Sequence, residues 1–495
     1  MKKLRDVETT RRDSYDDAML NTVHRSSLMV PVLPDSKVSV SFLNHFLIKR
    51  KNNSVGCRIT AIDLHGNRIT SRLISVNEPR VYTLHLQRDF CPEAASFMVE
   101  FFSSNNLVIP FPAAMINHQG DDSFSSVHSY NRILNDVFED DDVNAVRVME
   151  SSIDVATSNE TSTFFVLASG NAPIDDDVLV RHVGRDSTCE KTIRASIPRL
   201  SHKMFVLDNL FPDWPKQLGT VLIKQPYQPQ FYGRLLVGQM SKSGAFVGNH
   251  SYYDSSTAPG EYWDDSIASF RTYPIIPNIR SLIRIYPIQS RSTILFTIQF
   301  NSETGESLGS TDEFALTSPG VEFLELDISQ LSARYSTGEV SSFTITGYPR
   351  DGNTPTRINH QLVFKSTGLE SSINVSLLNL NVIHSDTKPR TFWGQLLNSP
   401  DYKTWLAITN DSVTDSTSNL TINVFSETGL LTTFPAKVQS RSTQIFNIAD
   451  LLPAQNIGVE SDFLWYEFES TNHFLTGFSV TRHKVSGHCT GEHSF

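Results

Sequence analysis

Asn249-His250-Ser251-Tyr252 repeats a pattern already present at Val127-His128-Ser129-Tyr130, and the chain closes on a third copy, Glu492-His493-Ser494-Phe495. Each copy ends a run of alternating, aromatic-rich sequence. Upstream of each lies a turn glycine, and the interval to the motif histidine is 62, 66 and 64 residues (Gly66 to His128, Gly184 to His250, Gly429 to His493). Near-constant spacing over that distance is the mark of a duplicated unit, because unrelated tripeptides have no reason to keep it.

The runs around the motif set the fold class. Val38, Val40 and Phe42 alternate with serines, and Cys57, Ile59 and Ala61 alternate ahead of Asp63-Leu64-His65-Gly66. Alternation flanking a glycine turn is a hairpin signal. Val81-Tyr82-Thr83-Leu84 and Phe97-Met98-Val99 follow at strand-like spacing. The order returns with Phe164-Phe165-Val166-Leu167, Val178-Leu179-Val180 and Met204-Phe205-Val206, and again with Trp405-Leu406-Ala407-Ile408 and Ile422-Asn423-Val424-Phe425. A region around Ile294-Leu295-Phe296 carries the turn Ser302-Glu303-Thr304-Gly305, which matches Ser426-Glu427-Thr428-Gly429 word for word but leads to no His-Ser-aromatic ending. Many short strands with regular turns predict an all-β chain of tandem antiparallel β-sandwiches, immunoglobulin- or jelly-roll-like, joined by long connectors. The expected division is an arm over 1–36 and sandwiches over 37–160, 161–275, 276–400 and 401–495. Aligned without gaps from the histidines, Ile109, Phe231 and Phe474, then Ala113, Leu235 and Phe478, then Met115, Val237 and Val480, coincide on one strand face, which is expected to point into each sandwich.

Composition narrows the function classes. With 42 Lys and Arg against 53 Asp and Glu, the net charge of −11 speaks against a nucleic-acid partner, which needs clustered cations. Cys57, Cys91, Cys189 and Cys489 have neither zinc-like nor disulfide-scaffold spacing, and buried free thiols are expected. The first residues lack the apolar core of a secretory signal, and no run approaches the roughly 18 apolar residues of a membrane span, so a cytoplasmic chain or non-standard export is expected. No nucleophile elbow, HExxH, P-loop or dinucleotide fingerprint occurs.

The connectors hold the remaining chemistry. Tyr252, Tyr253 and Trp263 form a dense aromatic group beside His250 and Asp254, a mixture that suits stacking on sugar rings and bonding their hydroxyls. These five residues are the candidate ligand contacts. Asp140 and Asp142 in the acidic linker, and Glu261, Asp264 and Asp265, are candidate calcium ligands, because that ion takes roughly six to eight oxygens. The expectation is a binding or structural protein, with polysaccharide or a protein surface as partner and oligomerisation open. A metal-assisted polysaccharide-modifying enzyme using His250, Asp254 and the carboxylates of Glu261, Asp264 and Asp265 is the alternative, and a virion or filament subunit with a docking arm is a third. The histidines decide between site and architecture: buried and bonded to backbone they order the chain, exposed in a cleft beside acids and aromatics they are a site.

Overall fold

The computed structural model describes residues 25–103, 109, 113–128, 130–133, 150–156, 158, 160–184, 188–213, 218–226, 228, 231–232, 234–251, 262–263, 268–285, 293–316, 324–350, 354–355, 358–379, 389–412, 416–452 and 461–495. They form tandem antiparallel β-sandwiches, and one strand plan recurs throughout. In the first module the strands are Arg25–Pro31, Lys37–Leu43, Val55–Ile62, Arg68–Val76, Val81–His85, Ser96–Ser103, Met115–Gln119 and Phe124–His128. Numbered one to eight, they make one sheet of order one-six-three-four and a second of order five-two-seven-eight. The same orders hold for the second module, from Glu150–Ala156 to Phe246–His250, and the fourth, from Arg390–Leu397 to Cys489–His493. In the third, from Ser269–Pro274 to Ser371–Ser376, strand four is split into Ser307–Ser310 and Phe314–Leu316, both paired with strand three. A short helix follows strand five in every module: Leu86–Asp89, Leu207–Leu210, Ile328–Tyr335 and Ile448–Leu451.

Among the described strands of each module, only three-four and seven-eight are joined as hairpins within one sheet. The first hairpin carries the turn glycine and the second carries the motif histidine, which is why both words keep their distance in sequence. Gly66, Gly305 and Gly429 all have positive φ, a backbone region where a Cβ is strained.

Strand one of each module falls outside the sandwich boundaries read from sequence. Arg25–Pro31 lies in the expected arm, yet it pairs along its length with Ser96–Ser103 and buries Leu28, Met29 and Val30 completely. Glu150–Ala156, Ser269–Pro274 and Arg390–Leu397 likewise sit in stretches assigned to the preceding module. Polar sequence around each strand one gave it the look of a connector, and its pairing partner, strand six, lies some seventy residues on.

The modules share their cores. Strand two of the second module, Thr161–Ala168, sends Phe165 and Leu167 into its own sandwich while Phe164 and Val166 pack with the first module. Strand two of the fourth, Tyr402–Asn410, sends Leu406 and Ile408 inward and Trp405 and Ala407 against the third. Burial on both faces explains why these strands read as unbroken apolar runs rather than alternation. Trp393, Phe425 and Trp465 of the fourth module pack in turn on the first, where Trp465 Nε1 donates to Ser41 Oγ (2.8 Å).

The strand-seven face expected to line each sandwich does so only in the second module, where Leu235 and Val237 join the interior. In the fourth, Phe478 and Val480 face outward and pack with the third module. The reason is register: the motif histidine stands opposite Met115, Leu236 and Phe478, so the seven-eight hairpin grows by one residue from the first module to the second and by another in the fourth. A gapless alignment ignores that growth, and each one-residue slip exchanges the two faces of a strand.

Cys57, Cys91 and Cys489 are buried free thiols and Cys189 is half-buried. No helix among the described residues is long and apolar enough to cross a membrane.

Candidate functional site at the meeting of the eighth strands

The eighth strands of all four modules meet one another. Phe124–His128 packs against Phe246–His250 and Cys489–His493, and Ser371–Ser376 of the third module packs against the same two, so the four strands close a ring. Two positions before each motif histidine the side chain is small: Ser126, Gly248 and Gly491. In the third module Ser372 stands at the corresponding place, two before Asn374. Small residues let backbones from different modules approach. Gly248 N donates to Ser125 Oγ of the first module (2.6 Å), and Asn249 Nδ2 donates to the Ser372 carbonyl of the third.

The motif serine and aromatic have structural duties. Ser251 N donates to the Leu235 carbonyl (2.7 Å) while Ser251 Oγ accepts from Leu235 N (2.9 Å). Ser494 repeats this with Gly477, at 2.7 and 3.1 Å. Each serine therefore extends the seven-eight ladder by one residue after the histidine. Tyr130 is buried with its hydroxyl 3.2 Å from His118 Nε2, and Phe495 stacks on Trp393 and Trp465 (centroids 5.9 and 6.1 Å).

The three histidines come to one point. The His128 ring stands edge-on to those of His250 and His493, with centroids 4.9 and 4.8 Å apart. Glu492 joins them, and one ligand-capable atom from each of His128, His250, Glu492 and His493 lies within 4.8 Å of every other. His250 is 4% exposed and Glu492 2%. His128 Nδ1 and Glu492 Oε2 face each other 2.8 Å apart. The other Glu492 oxygen accepts from His493 N (3.0 Å).

The backbone sets two of the rings. His250 Nδ1 lies 3.0 Å from the Ser251 carbonyl and His493 Nδ1 2.9 Å from the Ser494 carbonyl. A carbonyl only accepts, so Nδ1 carries the proton in both and the lone pair is on Nε2. Asn374, where the third module has no histidine, donates from its amide nitrogen to the His250 carbonyl, and that nitrogen lies 3.0 Å from His250 Nδ1. His250 Nε2 is buried without a hydrogen-bond partner among the described residues.

Burial pushes His250 well below the ordinary imidazole range, and the nearby Arg234 acts in the same direction. Burial likewise takes His493 down to about 4, against the pull of Glu492. For Glu492 burial acts upward, but the contact with His128 and the hydrogen bond from the His493 backbone N–H outweigh it and the carboxyl ends below its usual value. The arrangement is two neutral imidazoles, each presenting Nε2, around a carboxylate with His128 beside it.

Sequence placed His250 among surface ligand contacts; it is buried at the centre instead. Of its expected companions, Tyr252, Tyr253, Asp254, Glu261, Asp264 and Asp265 lie outside the described residues, as do Asp140 and Asp142. For Trp263 the backbone is described: Tyr262–Trp263 pairs with Thr354–Pro355 of the third module as a small ribbon separate from the sandwiches. Glu492 was not singled out from sequence. Its signal was faint: it occupies the motif position held elsewhere by Val127 and Asn249, and only a fold that brings strand ends together gives a carboxylate there a meaning.

No family model matches the chain, and no curated protein matches it. Among solved structures, the crystal structure of the chicken CNTN1 FN1–FN3 domains overlaps 70% of this chain and 97% of that one, at 7% identity and a TM-score of 0.08. A likeness so slight carries no assignment.

Proposed function

We propose that this all-β chain is a non-enzymatic structural and binding protein, in which the sandwiches act as one block and the long connectors meet the partner. The observation that carries the reading is the closure of the four eighth strands on one another, together with cores shared between modules. A string of independent modules keeps a separate core in each and bends at its linkers. Here Trp405, Ala407, Phe478 and Val480 belong to a core with the third module, and separating the modules would return them to water. Denaturant unfolding tests the block: one cooperative transition reported alike by the tryptophans and by far-ultraviolet dichroism supports it, whereas separate steps for separate modules oppose it.

The partner proposed for the block is a polysaccharide, met through the segment that runs from the centre at Ser251 to Trp263. Its support is composition, since three tyrosines, a tryptophan and acidic residues share that segment, together with the pairing of Tyr262–Trp263 to Thr354–Pro355, which fixes its far end. Affinity electrophoresis in a panel of neutral and acidic polysaccharides is the test. Retardation by one of them that is lost in Trp263→Ala, with thermal unfolding unchanged, supports the assignment. Mobility unaffected by every polysaccharide, or retarded equally in the variant, removes it.

A further inference from the structure

We infer that His128, His250, His493 and Glu492 form a buried site for one divalent transition-metal ion of the zinc class, which ties the first, second and fourth modules together at the centre of the ring. The ligand set comes first. Three imidazoles and one carboxylate, each with a ligand-capable atom within 4.8 Å of the others, match the nitrogen and oxygen donors that zinc, cobalt and nickel take. Calcium and magnesium prefer all-oxygen shells and are poorly served here.

The second support is how the donors are presented. In both His250 and His493 the Nδ1 proton is held by the carbonyl of the following serine, which leaves Nε2 as the free donor. A backbone acceptor on the far nitrogen is the usual way a protein orients an imidazole toward a metal. The motif serine thereby supplies two things at once: a hydroxyl that continues the ladder and a carbonyl that fixes the ring. His250 Nε2, so presented, is buried with nothing among the described residues to accept from or donate to it. A buried nitrogen left in that state is unfavourable unless something fills the place.

The third support is the His128–Glu492 pair. Its 2.8 Å separation brings a carboxylate oxygen and an imidazole nitrogen to one point, as two ligands of a shared ion require. Tetrahedral ligands at about 2.0–2.1 Å from zinc stand roughly 3.3 Å apart. The observed separations, from 2.8 Å up to at most 4.8 Å, bracket that value, and small side-chain movements reach it.

Four protein ligands leave no coordination position for water or substrate, so the ion is structural rather than catalytic. The third module takes part without ligating: Asn374 donates to the backbone carbonyl of His250 and so braces that ligand. This explains why three copies keep histidine and one does not, since a tetrahedral shell completed by Glu492 has no room for a fourth imidazole.

The experiment uses the full chain, purified without a histidine tag, loaded with Zn2+ and dialysed against metal-free buffer. Elemental analysis is expected to find one zinc per chain, and Co2+ substitution to give the intense visible bands of a four-coordinate site. The conservative variants Glu492→Gln and His250→Gln, checked by circular dichroism for retained β-structure, are expected to lose the ion at least a hundredfold more readily. A chelator should lower the thermal midpoint of the parent and leave those variants unmoved. Less than a tenth of an equivalent of retained metal, octahedral Co2+ spectra, or equal retention by both variants would overturn the site. Should a variant fail to fold, the parent alone decides: no shift of its midpoint between excess chelator and excess Zn2+ counts against a bound ion. None of these readouts involves a polysaccharide, so this site and the proposed ligand stand or fall separately.

Discussion

Gly305 of the third module sits directly against Ser440 of the fourth, so that a Cβ on the glycine would overlap the serine carbonyl oxygen. Gly66 stands in the same relation to Arg199 between the first and second modules. Beside each contact a serine of strand six donates to a backbone carbonyl at a left-handed turn: Ser96 Oγ to Leu200 (2.8 Å) and Ser342 Oγ to Arg441 (2.8 Å). Between the fourth module and the first, Arg80 donates to the Glu427 carbonyl near the equivalent turn. At these three junctions the three-four hairpin of one module thus docks at the turn ahead of strand five of the next.

The twin turns ending at Gly305 and Gly429 make this testable, because they share one tetrapeptide and differ in surroundings. Gly429 has φ +113 and open space where a Cβ would go, so Gly429→Ala should cost only the strain of its backbone conformation, roughly 1–2 kcal/mol. Gly305→Ala, at φ +81, adds a collision with backbone and should cost about 2 kcal/mol more. Urea midpoints of the two variants measure the difference. Equal losses would mean that the junction between third and fourth modules gives way freely.

The repeat itself was legible because hairpins are local: the turn glycine and the histidine each belong to two strands that are adjacent in sequence. What escaped was non-local. Strand one pairs with strand six across most of a module, and nothing in Arg25–Pro31 or Arg390–Leu397 announces a partner so far away. The runs Phe164-Phe165-Val166-Leu167 and Trp405-Leu406-Ala407-Ile408 did carry the information that both faces are covered, but a strand between two modules and a strand in a thick single core read alike. The convergence of His128, His250 and His493 depends on how whole modules close on each other, and no spacing within one module encodes it.

Acid should weaken the fold through buried histidines outside the central cluster. His45, His118 and His360 are each buried and lowered to about 3, with burial as the first cause. An unfolded histidine titrates near 6.5, so the unfolded chain binds more protons as pH falls below that value. The stability these groups contribute is complete above about pH 6.5 and is lost progressively toward pH 3, at roughly 1.4 kcal/mol per unit for each. For His360 the cause is visible: Nδ1 faces the Ile358 carbonyl (3.1 Å) and Nε2 faces the Tyr273 hydroxyl (2.5 Å), which leaves no place for a second proton without turning that hydroxyl away. Urea unfolding between about pH 7 and pH 5 should show this slope. His360→Gln should flatten it by one proton's worth, and an unchanged slope would place the titration elsewhere.

Asp411 should act in the opposite sense. Its carboxylate accepts the backbone N–H of Thr272 across the junction of third and fourth modules (2.6 Å), and burial raises it to about 6, against the pull of Arg271 and of that bond. A folded value above the unfolded one of about 3.9 means that the native state binds the extra proton. This group's contribution is therefore fully present below about pH 4 and is lost as pH rises through 6. Asp411→Asn keeps an oxygen for Thr272 and removes the charge. It is expected to raise stability at neutral pH by about 1–3 kcal/mol and to steepen the loss toward acid, since the opposing term has gone. A variant less stable than the parent at pH 7 would show that the charge is balanced by more than Arg271.

The last prediction concerns charge buried between the second and third modules. Arg284 is 1% exposed, with Nη2 on Glu370 Oε1 (2.6 Å) and Nε on Glu325 (2.7 Å). Glu370 also meets Lys365 (3.2 Å) and accepts from Gln239 of the second module (2.9 Å). Burial pushes its carboxyl up, but Arg284, Lys365 and Gln239 prevail and hold it below the ordinary value, so its share of stability is present above about pH 4.5 and lost below. Removing one partner leaves a buried guanidinium with half its compensation, and Glu370→Ala should cost about 3 kcal/mol or more. Replacing both with apolar residues of similar size, Arg284→Met with Glu370→Leu, should recover most of that loss, because the desolvation of both charges disappears along with their attraction. Urea midpoints of the single and double variants close the cycle. If the double variant is as unstable as the single one, the network fixes how the two modules meet, and its loss would also show as a second unfolding step.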